Sequence, residues 1–345
     1  MKVHLKKILV PLLASRPVSA IATRIFGYGV PIFMIHRTAT DRPSSGSHTT
    51  SLLRQYLQFL KDRGHHFVSI MDVVNAARGN TVLPPKSVAF TIDDGYLHQA
   101  ETAAPVFLEF DCPVTIFLIT GFLDNKLWPW FSQVAYLVKN SGKDTFELDF
   151  PEKQFSYSIP DTMSRSQAIK AVVEKMKFMD DERIPSMIEQ LSHRTQVTLP
   201  ADAPEKYRPM TWDNARDLEK RGVTFGPHTV SHPILSMVNN HKSEREITES
   251  WQRVREELSN PVPVFCYPNG RTCDYTEREI EIIRNAGLIG AVSTIPKQVD
   301  IDSRSDHYAY NLPRLSLPHS ISDLVQYSTW IEHAKVWQNN EPNRY

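Results

Sequence analysis

Two adjacent carboxylates, Asp93 and Asp94, close the apolar run Ser87-Val88-Ala89-Phe90-Thr91-Ile92 and stand directly before Gly95-Tyr96. Like charges this close repel, so at least one must be protonated, cation-bound or strongly hydrogen-bonded. Gly95 lets the backbone turn tightly and present both acids at a strand end. Read alone, the stretch serves equally well as a helix N-cap with a second acid on the helix dipole or as a catalytic pair. A second cluster, His228-Thr229-Val230-Ser231-His232, spaces two imidazoles four residues apart. On one helical turn both rings would face the same side. They could then share a metal ion, with a carboxylate from elsewhere completing the set and positions left open for water and substrate.

The elements that must position these groups are legible from periodicity. Val30-Pro31-Ile32-Phe33-Met34-Ile35 reads as a buried strand ending in His36-Arg37, and a strand over 88–92 delivers the acid pair. Strands over 223–226 and 262–267 lead into the two histidines and into Tyr267-Pro268-Asn269-Gly270, and others are expected at 67–70, 114–119 and 288–293. Leu52, Leu53, Tyr56, Leu57 and Leu60 recur at helical spacing and Arg63-Gly64 closes that helix. Helices are further expected at about 71–77, 101–110, 211–220, 243–258, 276–286 and 321–337. Strands alternating with helices argue a parallel sheet or barrel, whose strand C-terminal ends form the active face. Four polar clusters at four such ends outweigh the helix-cap reading.

The rhythm breaks between about 121 and 210. Trp128, Trp130, Phe131, Tyr136 and Leu137 suggest an aromatic-rich helix, 144–158 alternates like a hairpin, and 164–193 carries polar amphipathic helices. The expected organisation is a basic amphipathic segment at 1–29, a main domain at 30–330 with this helical insertion beside it, and a tail at 331–345.

Composition excludes several classes. Lys and Arg number 39 and Asp and Glu 39, and this balance argues against nucleic acid as the main partner. The three cysteines, Cys112, Cys266 and Cys273, are too few and too irregular for a disulfide framework or a zinc–thiolate cluster, so a transition metal would have to be held by His and carboxylate. No apolar stretch approaches the roughly 20 residues that span a bilayer. Lys2, Lys6 and Lys7 precede Ile8-Leu9-Val10-Pro11-Leu12-Leu13-Ala14, and Val18-Ser19-Ala20 could serve as a signal-peptidase site. The proline and the following Arg16 weigh against that. The expectation is a cytoplasmic protein with a basic amphipathic helix, also carrying Arg24, that rests either on a membrane surface, which would make the protein membrane-peripheral, or on the domain. Export to the periplasm or outside is the alternative.

Thr91-Ile92-Asp93-Asp94-Gly95 resembles the T-F-D-D-G motif of the polysaccharide deacetylases, the NodB-like carbohydrate esterases of family four, and His228-Thr229-Val230-Ser231-His232 resembles their H-[ST]-x-x-H motif. The resemblance runs from Met34-Ile35-His36-Arg37 to Leu312-Pro313-Arg314, and the opening segment with the long insertion is similar to bacterial deacetylases of exopolysaccharide biosynthesis. It implies an α/β fold, a distorted (β/α)7-type TIM-like barrel of NodB-homology type. It also implies a divalent metal, zinc the expected ion, held by Asp94, His228 and His232, with Asp93 as the general base that deprotonates the attacking water. The substrate would be an N-acetylated poly- or oligosaccharide, contacted by Tyr267 and Asn269. A backbone N–H near Tyr267 would help to hold the oxyanion, and acetate would leave once a general acid protonates the amine.

Two departures from the family pattern set expectations of their own. The third motif usually carries an arginine that orients the base, but Cys266 stands in that place, read here as a small buried residue rather than a nucleophile. Arg314, after the last expected barrel strand, is expected to supply the guanidinium. The late Leu-x-His motif reads Leu312-Pro313-Arg314, so the general acid is expected to be His36, with His319 as rival. His98 is expected on a first helical turn, solvated. The insertion is expected to be structural, with a lid or groove wall as the sharper role because exposed Trp and Tyr suit stacking on sugar faces. Hydrolysis of another amide or an O-acetyl ester, and carbohydrate binding without catalysis, are the competing functions.

Overall fold

The computed structural model describes residues 10, 13–14, 16–39 and 48–338. The basic stretch at 1–9, most of the Ser-rich loop (40–47) and the end of the tail (339–345) lie outside the described residues. Helix α1 (Arg16–Phe26) leads to β1 (Ile32–Ile35). Helix α2 (Thr50–Asp62) starts where the Thr49 side chain accepts from the Leu52 N–H, and it buries Leu53, Tyr56, Leu57 and Leu60, the set its spacing predicts. After the short β2 (His66–Phe67), a Ser69/Asp72 capping box opens α3 (Ile70–Ala77), so the strand expected at 67–70 ends early. Strand β3 (Ser87–Asp94) is buried at every position. A π-helical turn (Gln99–Ala103) runs into α4 (Ala104–Glu109), and β4 (Val114–Leu118) follows.

The insertion holds α5 (Trp130–Asn140), the antiparallel hairpin β5 (Thr145–Asp149) and β6 (Gln154–Ser158), α6 (Thr162–Met176) and α7 (Ile184–Thr195). It has a small core of its own around Leu137, Leu148, Val172 and Leu191. The alternation then resumes with α8 (Trp212–Lys220), β7 (Thr224–Pro227), α9 (Asn240–Glu257), β8 (Val264–Cys266), α10 (Glu277–Asn285), β9 (Gly290–Val292) and β10 (Leu315–Ser316).

The main strands run parallel in the order β10-β1-β3-β4-β7. Strands β8 and β9 form a parallel pair beside them. Val262 N–H to Phe225 O at 2.8 Å joins that pair to β7, and a parallel bridge between Val292 and Leu312 carries it towards β10. Seven strands thus follow one another round the barrel, and β3, paired to β1 and β4, is its most deeply held member. Two-residue β10 was not expected; so short a strand has no pattern to read, and it places Arg314 before the last barrel strand rather than after it.

The single helix expected at 321–337 is two, α11 (Ile321–Tyr327) and α12 (Trp330–Gln338). Ser328 and Thr329 turn their hydroxyls back onto Leu324 O and Val325 O, and Gln298 Nε2 donates to Tyr327 O and Thr329 O, so the join is held by side chains in place of helical continuity. Helix α12 crosses the boundary expected at 330 and packs against α1. No described helix is long and apolar enough to cross a membrane.

Candidate active site

Asp93 and Asp94 end β3 at the C-terminal mouth of the barrel, opposite Phe117 and Leu118 of β4. Asp94 adopts φ +88° and Gly95 φ +87°. A left-handed aspartate is strained by about 1–3 kcal/mol, and it persists only where surroundings over-determine it. Gln99 supplies much of that constraint. Its Oε1 accepts from the N–H groups of Gly95 (3.1 Å) and Tyr96 (3.0 Å), while its Nε2 donates to Asp93 O (2.6 Å) and His36 O (2.7 Å). One buried amide therefore ties the ends of β1 and β3 together.

Arg314 is fully buried and faces Asp93 in a two-pronged ion pair, Nη1 to Oδ1 at 2.7 Å and Nη2 to Oδ2 at 2.8 Å. Ser293 O, Thr91 Oγ1 and the Cys266 Sγ take its remaining contacts at 2.9, 2.9 and 3.2 Å. The small thiol leaves room for a guanidinium that arrives from the residue before β10 instead of from β8. Burial, the largest single influence, works against ionising Asp93, but Arg314, His36 and His228 together outweigh it, and the carboxyl stays well below the usual carboxylate range. Asp94 lacks such a partner and burial raises its pKa. Neighbouring acids with opposite tendencies can take different roles.

His228 follows β7. Its Nδ1 lies 2.7 Å from Cys266 O, and a carbonyl can only accept, so Nδ1 carries the proton and Nε2 turns its lone pair towards Asp94 Oδ1, 3.8 Å away. His232 packs edge-on to His228 and against Phe131, and its Nδ1 is buried with no hydrogen-bond partner among the described residues. Burial lowers the pKa of both imidazoles, which keeps them in the neutral, ligating form. The helical turn expected for the two histidines is not formed: residues 228–232 are a loop, with Thr229 at φ +65° and His232 at φ +63°. Glu246 of α9 clamps that loop by accepting from the N–H groups of Val230 (2.9 Å) and Ser231 (2.8 Å). The rings converge through loop geometry, not through helical periodicity.

One oxygen of Asp94 and one nitrogen each of His228 and His232 lie within 4.8 Å of one another. One carboxylate and two neutral imidazoles around a point fit a divalent ion of zinc type. Asp93, His228 and Cys266 also approach one another, but Arg314 occupies that carboxylate and burial raises the thiol pKa well above its ordinary value.

His36 follows β1, is half exposed, and holds Nε2 3.8 Å from Asp93 Oδ2. Its rival, exposed His319, stacks instead on His48 at 4.2 Å. Tyr267 departs from expectation. It is fully buried, stacks on Tyr275 at 3.7 Å and donates its hydroxyl to Tyr310 O, so it packs the core and does not face the mouth. Its N–H is committed to Val292 O at 3.2 Å and is not free to hold an oxyanion. Asn269 remains, at φ +57°, with a buried Nδ2 that lacks a partner among the described residues. His98 lies on the first helical turn, but half-buried and stacked on Tyr96, not solvated; burial and then Arg37 and Lys206 push its pKa down to about 3.

The insertion contributes α5. Phe131 lies 5.0 Å from His232, and Ser132 bonds both the Tyr96 hydroxyl and Arg37. Trp128, Trp130 and Tyr136 are half-buried against neighbouring rings, less exposed than expected. The sequence reading missed Gln99, Glu246 and Ser132. Only Gln99, four residues past Gly95, lay near enough to a motif to be suspected; the other two come from distant helices.

A family model described as polysaccharide deacetylase matches residues 80–290. A curated relative, poly-beta-1,6-N-acetyl-D-glucosamine N-deacetylase of Escherichia coli K12, is 33% identical over 76 residues, 22% of this chain and 11% of the relative. The match thus spans about a ninth of that relative's length. Among solved structures, IcaB from Ammonifex degensii superposes with a TM-score of 0.56 at 16% identity, covering 89% of this chain and 98% of its own. The Streptococcus pyogenes deacetylase PplD in complex with acetate gives 0.55 at 18% identity, covering 91% and 99%. At such identities the likeness is one of fold.

Proposed function

The chain belongs to the polysaccharide deacetylase family, and on that premise we propose that it is a metal-dependent hydrolase that removes N-acetyl groups from an N-acetylated sugar polymer or lipid-linked saccharide. The observation that carries this reading is the buried pair Asp93–Arg314 set directly beside the Asp94–His228–His232 cluster at the barrel mouth. A binding module has no use for an ionised acid fixed at that place. The name of the curated relative, a poly-N-acetylglucosamine N-deacetylase, supports a glucosamine-type polymer as the substrate.

A divalent ion held by Asp94, His228 and His232 would polarise the acetamide carbonyl and acidify the attacking water. Asp93 is the base. Its carboxylate stays ionised through Arg314, and each oxygen keeps a lone pair beyond those the guanidinium occupies, so it accepts the proton of the water that attacks the carbonyl carbon. Arg314 fixes the direction of those lone pairs. Asn269, with its unpartnered Nδ2, is the available donor to the oxygen on which charge develops. As the C–N bond breaks, His36 gives a proton to the departing nitrogen; its half-exposed ring at the rim can meet a sugar amine and recharge from solvent. Acetate and the free amine are the products.

The test is acetate release from N-acetylglucosamine oligomers, with metal supplied and after chelation. Acetate that requires metal and disappears in Asp93→Asn supports the proposal. Release only from O-acetylated glycans, or oligomer binding without turnover under every metal condition, overturns it.

A further inference from the structure

At the end of the barrel opposite the mouth lies a cavity of about 1190 Å³ that the chemistry above does not use. It opens between α1, the end of α2, the segment leading into β3 and the start of α12, so it borders the N-terminal ends of β1, β2 and β3. Phe59, Leu83 and Trp330 give it apolar walls. Among the described residues its charged lining is one-sided: Arg24, Lys61, Arg63 and Lys86 against the single carboxylate Asp62. Lys86 donates to Arg63 O at 3.0 Å, which holds two of these cations on one rim. His65, on the same wall, has a buried Nδ1 with no hydrogen-bond partner among the described residues. Its pKa falls to about 4, through burial first and then through Lys86, His66 and Arg63, as expected where positive charge is not neutralised.

The surface around this cavity is unusually apolar. Leu13, Val18, Ile21 and Ile25 of the α1 region are 39%, 38%, 64% and 62% exposed, and Val82, next to the lining residue Leu83, is 77% exposed. Val18, Ile21 and Ile25 follow helical spacing and form one outward ridge. An amphipathic helix with an apolar ridge, beside a cationic hollow, matches the two phases of a lipid surface with its anionic headgroups.

We propose that this end of the barrel docks on an anionic phospholipid bilayer, with a headgroup phosphate among Arg24, Lys61, Arg63 and Lys86 and the α1 ridge in the acyl boundary. The docked protein turns its catalytic mouth away from the bilayer, because Asp93, Asp94 and the histidine loop stand at the opposite strand ends. The contact is independent of the reaction, and its test does not read turnover.

The test is co-sedimentation of the full chain with vesicles of phosphatidylcholine alone or of phosphatidylcholine mixed with phosphatidylglycerol. The chain is expected to sediment with the mixed vesicles and to be released by salt. Lys61→Ala and Arg63→Ala should each lower partitioning about fivefold, and Ile21→Ser with Ile25→Ser should abolish it. Thermal melting should stay as in the unaltered chain, which separates lost docking from lost folding. Asp93→Asn should bind vesicles normally, so a failure of the proposed chemistry leaves this test intact. Absence of binding to mixed vesicles, equal binding to both kinds, unaltered binding by the variants, or full displacement by inorganic phosphate would each overturn the proposal.

Discussion

Arg314 and Asp93, 221 residues apart in sequence, meet in the barrel interior with both guanidinium prongs on both carboxylate oxygens, at 2.7 and 2.8 Å. Neither group is exposed. Removing one partner from such a pair leaves an uncompensated buried charge, which commonly costs about 3–5 kcal/mol. Arg314→Met should therefore lower stability by that order and remove turnover. Arg314→Lys keeps the charge but not the fork; it should fold and lose about a hundredfold in kcat through misplacement of the base. Urea melts with steady-state acetate assays measure both, and a Lys variant with unchanged kcat would show that the fork does not orient Asp93.

His36→Gln should lower kcat by about a hundredfold or more and flatten the alkaline limb of the kcat profile, because the lost proton donor is the group that must be protonated. His319→Ala should leave both unchanged, since His319 stacks on His48 away from Asp93. If the His36 variant keeps its alkaline limb, the acid is another group.

Glu246 makes no contact with substrate in the proposed reaction, yet it holds the loop that carries both imidazoles. Glu246→Gln retains the shape but offers one acceptor fewer. Equilibrium dialysis with zinc should show about 10- to 100-fold weaker binding, as for other supports of metal ligands, and Asp94→Asn should bind weaker still. Wild-type affinity in Glu246→Gln would mean that the loop holds its form without the clamp.

His98 supplies a pH dependence of stability. Its folded pKa is about 3, lowered by burial and then by Arg37 and Lys206, whereas an unfolded histidine titrates near 6.5. Between those values the unfolded chain binds a proton that the folded chain refuses, so stability falls as pH drops from about 6.5 towards about 3. His98→Gln removes this contribution. Relative to the unaltered chain, it should gain about 2 kcal/mol between pH 7 and pH 5 in paired urea titrations. An equal response of the two proteins to pH would show that His98 takes up its proton in the folded state.

Local pattern made much of this protein readable. An apolar run must be buried, and the polar residues that close it mark its end; that pattern places Asp93, Asp94, His36 and His228 at strand mouths, with Gly95 turning the chain after the acid pair. Helix α2 follows in the same way from Leu53, Tyr56, Leu57 and Leu60. Reading failed where the deciding contacts are distant. Tyr267 resembled a substrate residue by its place after a strand, but its partners Tyr275 and Tyr310 take it into the core. His228 and His232 suggested a helical turn by spacing, but Glu246 and two left-handed residues bring them together in a loop. The broken terminal helix likewise depends on Gln298 reaching the carbonyls of Tyr327 and Thr329. Sequence by itself determined which groups this protein has for its chemistry and that they gather at one face, because periodicity and burial act over a few residues. Tertiary structure decided how they are oriented and charged: the family resemblance pointed to Arg314, but the two-pronged grip that tunes the Asp93 carboxylate joins residues from far ends of the chain, and no local rule encodes that geometry.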